Sequence, residues 1–172
     1  IKMSRQFPGL SIKYGRPLGI NPKILKVCLE RIEETEKNSI SSIARAETFL
    51  ITVAHGSNDP GVNLTTAKIP QILCENMGFG GFEINFIGTN QPLLSESLEA
   101  SIKMKFKRII IFPFFLFNGV LTKRIASTVD DIQKQHPEVE LLKAQHLNHH
   151  ELIIDVFMKR AREAPFVLQD TN

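Results

Sequence analysis

A histidine in a glycine-containing turn follows directly on an apolar, β-branched run: Phe49–Ala54 leads into His55-Gly56-Ser57-Asn58-Asp59-Pro60-Gly61-Val62-Asn63. An imidazole, with a reference pKa of about 6.5, can accept a proton or offer a lone pair to a borderline divalent ion near neutral pH. Gly56 permits a sharp backbone turn, and Ser57, Asp59 and Asn63 are able to hydrogen-bond the loop or cap a following helix. In an open parallel sheet, ligands sit beyond the carboxyl ends of the strands, which is where His55 would project. The glycines do not form a dinucleotide fingerprint, and the Gly-Lys-Ser/Thr of a phosphate loop does not occur.

A second block, Phe112-Pro113-Phe114-Phe115-Leu116-Phe117-Asn118-Gly119-Val120-Leu121-Thr122-Lys123-Arg124-Ile125, joins an apolar run to a basic helix start. Its phenylalanines read either as core or as a flat wall which, beside Lys123 and Arg124, suits a planar aromatic ligand carrying carboxylates. The first block makes His55 a candidate functional residue, while in the second no single residue decides between the two readings. The other histidines have plainer readings. His136 precedes Pro137 at a helix end, where a cation complements the dipole. His146, His149 and His150 read as a capping turn before the last helix, with a metal cluster as the alternative, although His149 and His150 would point to different helix faces. Cys28 and Cys74 lie far apart, without C-x-x-C spacing, and read as small core residues.

These residues need a scaffold, and the composition allows one. A chain of 172 residues, 42% hydrophobic with 10 glycines, suits one globular core with an appendage. No apolar run reaches the roughly 18 residues of a bilayer span. Ile1–Arg5 lack the features of a secretory signal, so a soluble, cytoplasmic protein with no membrane partner is expected. A net charge of +3 is too slight to indicate a nucleic-acid partner. Lys103, Lys105, Lys107 and Arg108 precede one apolar run and read as a solvated flank or the edge of an anion site.

From Glu47 onward, apolar runs at Phe49–Ala54, Phe82–Ile87, Arg108–Phe115 and Val139–Ala144 alternate with helical spacing at Leu64–Asn76, Leu93–Lys105, Thr122–His136 and Glu151–Ala164. This predicts α/β architecture: a four-stranded parallel sheet between helix layers, with the first and third strands central. Pro70 is expected to kink the first of these helices or delay its regular part. Upstream, Ser11–Gly15 reads as a short strand and Lys23–Lys37 as a helix capped by Asn21-Pro22. A shift of 129 lays Arg16–Glu34 over Gln145–Glu163, matching Leu18 with Leu147, Val27 with Val156, Arg31 with Arg160 and Glu34 with Glu163. Residues 1–37 therefore read as the strand and helix that end a preceding repeat, 38–46 as a linker, 47–164 as the complete unit and 165–172 as a tail.

In combination the motifs resemble the sirohydrochlorin cobaltochelatase and ferrochelatase family of class II chelatases, and specifically the C-terminal half of a two-unit member. The residues that carry this are the strand-His-Gly-Ser-x-Asp-Pro…Asn at 55–63, the Pro92-Leu93 helix start, the block at 113–125, and Leu-x-x-His…Arg at 147–160. The resemblance implies a three-layer chelatase-like domain that inserts Co²⁺ or Fe²⁺, as substrate and with no permanently bound cofactor, into a sirohydrochlorin-type tetrapyrrole. It also implies a pair of histidines. The first corresponds to His55, which the resemblance makes catalytic and metal-contacting, with Ser57, Phe115, Asn118, Gly119, Lys123 and Arg124 as the substrate-binding set it implies; at the second position stands Leu121. Two roles are therefore open: a chelatase, or a non-catalytic half that completes the cleft of another unit, with a homodimer or a separate N-terminal half as partner.

Overall fold

The computed structural model describes residues 15–88 and 93–163. Four strands, β1 (Thr48–Ala54), β2 (Gly81–Phe86), β3 (Arg108–Pro113) and β4 (Glu140–Lys143), pair in parallel in the order β2-β1-β3-β4. The helices are α1 (Pro22–Lys37), α2 (Pro60–Met77), α3 (Leu94–Lys103), α4 (Val120–Gln135) and α5 (Glu151–Arg162). β1 and β3 are buried along their whole length, while β2 and β4 are only partly so, as expected of two central and two edge strands.

The period-2 alternation of the central strands divides the core into two layers. Leu50, Ile110 and Phe112 face α1, α2 and α5 through Ile24, Val27, Ile69, Leu73, Ile153 and Val156. Phe49, Ile51, Val53, Ile109 and Ile111 face α3 and α4 through Leu98, Ile125 and Val129. The helix read as the end of a preceding repeat thus packs over this sheet. Cys28 and Cys74 are both free and buried here; burial pushes the Cys28 thiol up to about 12 and raises Cys74 as well.

Several boundaries differ from those expected. α2 starts at Pro60 rather than Leu64, because Asp59 Oδ1 accepts the Gly61 N–H at 2.8 Å and proline is preorganised for the first helical position. Pro70 does not interrupt it; buried beside Ile69, Leu73 and Cys74, it is held on an apolar face that carries the helix to Gly78, whose φ of +72° ends it. β3 stops at Pro113 instead of Phe115, since Phe115 N–H turns back to the Pro113 carbonyl at 2.9 Å. α4 begins at Val120 rather than Thr122. Of the strand read at Ser11–Gly15, only Gly15 falls within the described residues.

Of the basic cluster at 103–108, Lys103, Lys105 and Lys107 are exposed, as a solvated flank would be, but Arg108 is not. Arg108 is 3% exposed, and its guanidinium donates to Glu140 at 2.5 Å, to the Ser41 carbonyl at 2.8 Å and to Ser39 Oγ at 3.1 Å. Lys107 pairs with Glu47 at 2.6 Å. Burial works to raise the Glu140 carboxyl, but hydrogen bonds from Ser39, Arg108 and Ser41, with the guanidinium charge, outweigh it and hold Glu140 below its usual value. The network ties residues 38–46 to the amino ends of β3 and β4, opposite the end that carries His55. Among the described residues, no helix is long and apolar enough to cross a membrane.

Candidate functional site at the carboxyl ends of the strands

The strand order places a topological switch between β1 and β3: the chain leaves β1 through α2 on one face and β3 through α4 on the other. In open α/β sheets, ligands bind in the crevice outside such a switch point. His55 stands there, one residue beyond β1, with its side chain exposed.

Backbone hydrogen bonds build its seat. Ile87 and Gly88 donate to the carbonyls of Ala54 and His55 at 3.0 and 2.7 Å, continuing the β1–β2 ladder, and Phe114 donates to Val53 at 2.8 Å from the other side. Gly56, at φ +86°, then turns the chain out of the sheet. His55 Nδ1 lies 3.2 Å from the Gly56 carbonyl oxygen; the tautomer that donates this bond keeps the lone pair on Nε2. Asn63 clamps the following loop: its Oδ1 accepts the Ser57 N–H at 2.8 Å and its Nδ2 donates to the Ser57 carbonyl at 2.7 Å. Ser57 Oγ accepts the Asp59 N–H at 3.1 Å, so this expected substrate residue also shapes the loop, with its hydroxyl proton left to donate.

Gly88 is a neighbour of His55 that the sequence reading missed. A Cβ at this position would collide with the His55 carbonyl oxygen and lie 2.7 Å from Nδ1 and 2.9 Å from Cε1, so only glycine leaves both the backbone and the ring of His55 where they are. Recognising it requires the β1–β2 register, which no motif announces.

The phenylalanine block is divided. Phe112 is fully buried and Phe117 is 74% exposed. Phe114 packs on the α1/α2/α5 side and Phe115 on the α3/α4 side, and both line an apolar cavity of about 590 Å³ with Leu18, Val62, Ile69 and Leu147. This cavity adjoins Asp59 and Gly61 of the His55 loop, but His55 does not line it. Asn118 and Gly119 form the cap of α4: Thr122 Oγ1 accepts the Gly119 N–H at 2.9 Å and donates to Asn118 Oδ1 at 2.6 Å. Asn118 and Lys123 border a second, smaller opening of about 290 Å³ with Gln145 and His146. Lys123 and Arg124 are exposed and in no ion pair among the described residues, and Leu121 is half-buried. The expected site residues therefore share one end of the sheet but open onto separate concavities.

Two of the other histidines, His150 and His136, make structural contacts, whereas His146 borders the smaller opening with its Nε2 buried and unpartnered among the described residues. His150 Nδ1 accepts the Leu152 N–H at 3.2 Å, capping α5, and Nε2 meets Glu30 at 3.1 Å. Burial, followed by the charges of Arg31 and His149, lowers His146 below its ordinary value. Among the described residues, no three His, Cys, Asp or Glu side chains are grouped to hold a metal, so the cluster considered at 146–150 does not form. His136, at the end of α4, sits 3.1 Å from Glu138 and 3.2 Å from Glu99, which raise its pKa in that order.

The CbiX family model matches residues 49–164. The sirohydrochlorin cobaltochelatase of Priestia megaterium is 30% identical over 158 residues, covering 92% of this chain and 51% of that protein. The sirohydrochlorin ferrochelatase of the same organism is 25% identical over 150 residues, covering 87% and 54%. The chain spans about half the length of these curated relatives. SirB from Bacillus subtilis, solved with Fe³⁺, superposes with a TM-score of 0.73 at 23% identity over 94% of this chain and 61% of that one, a likeness of fold.

Proposed function

Because the chain belongs to the CbiX family, we propose that it takes part in inserting a divalent metal, Co²⁺ or Fe²⁺, into sirohydrochlorin. The observation that carries this reading is the exposed imidazole of His55, seated on Gly88 at the switch between β1 and β3. Insertion strips two protons from pyrrole nitrogens and passes an ion from water to the ring. A neutral imidazole can take a proton, and it can hold a borderline ion without a carboxylate's hard-ion preference. Lys123 and Arg124 would meet the carboxylates of the macrocycle, with Phe115, Asn118, Gly119 and Ser57 around it. Both the metal and the tetrapyrrole are substrates, and the setting is cytoplasmic.

A second reading is supported by Leu121, an apolar side chain at the position of the second histidine: a half that completes another unit's cleft. The test follows sirohydrochlorin spectra with Co²⁺ or Fe²⁺ against a metal-only blank for the native chain, His55→Ala and Leu121→His. Insertion above the blank that His55→Ala abolishes without loss of Tm supports the enzyme. A native rate equal to the blank that Leu121→His does not raise favours the half; insertion untouched by His55→Ala refutes the role of His55.

A further inference from the structure

The exits of β3 and β4 and the first turns of α4 enclose the opening of about 290 Å³, which no residue of the His55 loop lines. Its walls divide by chemistry. Pro113, Ile125 and Ala126 supply an apolar surface, while Asn118, Lys123, Lys143, Gln145 and His146 supply a polar one. Among the described residues, no Asp or Glu lines it. Lys143 is answered by Asp130 at 2.5 Å, whereas Lys123 is in no ion pair among the described residues. Helix α4 adds to the positive potential: its cap, Gly119, has no side chain, and its first turn carries no acidic residue to offset the amino-terminal end of the helix dipole.

His146 is an independent observation at the same place. Three histidines are half-buried, and in His136 and His150 both ring nitrogens meet a partner. In His146 neither does among the described residues, although Nε2 is out of contact with solvent. A buried polar nitrogen without a hydrogen bond costs stability, and native folds satisfy nearly all such groups. A ring that is not tied can turn about χ2 and aim an N–H into the opening without breaking a bond. Burial, followed by the charges of Arg31 and His149, lowers its pKa, so near neutral pH it offers that N–H while uncharged.

We infer that the opening is a binding site for a short aliphatic carboxylate, with His146 and Lys123 on the carboxylate and Ile125 and Ala126 against its methylene stem. The lining chooses this ligand. Cations without acids select an anion. The apolar wall disfavours a compact, hydrated anion such as inorganic phosphate, which has no stem to bury. The volume takes a carboxyalkyl group and is too small for a macrocycle. Under the proposed function, on which this source rests, the carboxylate is one arm of the tetrapyrrole; a free small acid is the other source. His146 then determines specificity at a distance from the metal chemistry of His55.

An NMR titration of the 172-residue chain with propionate, read at the His146 ring and the Lys123 side chain, tests the site without any chelation. Saturable shifts are expected at both. Propionamide, the neutral isostere, should give none, and inorganic phosphate should bind about tenfold more weakly or worse. No saturable shift with propionate overturns the proposal, as does phosphate binding equally tightly, which would make this a general anion site. Lys123→Gln and His146→Phe should each weaken propionate binding about tenfold. His146→Phe should also keep or raise Tm, because it removes an unpartnered nitrogen at similar shape. A fall in Tm with unchanged propionate binding would make His146 a structural residue and overturn its role. Metal-free sirohydrochlorin distinguishes the two sources: displacement of propionate assigns the site to an arm of the macrocycle, and propionate binding that sirohydrochlorin leaves intact assigns it to a free acid. The insertion assay with His55→Ala decides the proposed function separately.

Discussion

Gly88 and His55 face each other across the end of the β1–β2 pair: the Gly88 N–H donates to the His55 carbonyl at 2.7 Å, and the imidazole occupies the space where a side chain at 88 would stand. Gly88→Ala must therefore move the ring or open the strand end. If His55 is the working group, a displacement of about 1 Å lowers metal insertion by about 10²-fold. The far-UV spectrum should stay native, because the site lies outside both core layers. Insertion kinetics of native and variant chains check this, and unchanged rates would separate Gly88 from the site.

Asn63 holds both main-chain groups of Ser57, at 2.8 and 2.7 Å. Asn63→Ala leaves the loop after His55 without its clamp and should cost about 1–3 kcal/mol. The loss should be local first: amide exchange at residues 56–59 is expected to accelerate more than exchange in β1. Uniform acceleration along the chain would show that the clamp supports the whole fold instead.

Arg108 is buried against Glu140, so truncating one partner strands the other. Arg108→Ala is expected to destabilise the chain by about 3–5 kcal/mol. Because Glu140 is held below the ordinary glutamate value, its contribution is present above that value and is lost as pH falls through the lower folded one. Urea titrations at several pH values should show this acid-limb dependence in the native chain and a weaker one in Arg108→Ala, where the hydrogen bond from Ser39 to Glu140 remains.

The His136 shift has the opposite sign. Glu138 and Glu99 raise it above 6.5, so its contribution is full below the unfolded value and disappears as pH rises through the raised folded one. His136→Asn should therefore lower Tm at acidic pH and leave it unchanged in alkaline buffer. A Tm difference independent of pH would mean that the ring acts by packing alone.

What could be read from the sequence was what short stretches of chain decide for themselves. The continuous apolar runs Phe49–Ala54 and Ile109–Phe112, the Asn21-Pro22 cap and the glycine turn after His55 depend on neighbours only a few residues away, and with them came the parallel sheet, the helix order and the placing of His55 at a strand end. Even so, Asp59-Pro60 moved the start of α2 ahead of its apolar pattern, because a cap and a preorganised proline extend a helix beyond the face it buries. The tertiary structure decided the rest. Register alone brings Gly88 under the imidazole; the meeting of β3, β4 and residues 38–46 turns Arg108 from a basic flank into a buried ion pair; and the exits of β3 and β4 bring Asn118 and Lys123 to one opening with His146. Each joins segments far apart in the chain, where pairing and burial are set by what the whole fold places opposite a residue and not by the residues beside it.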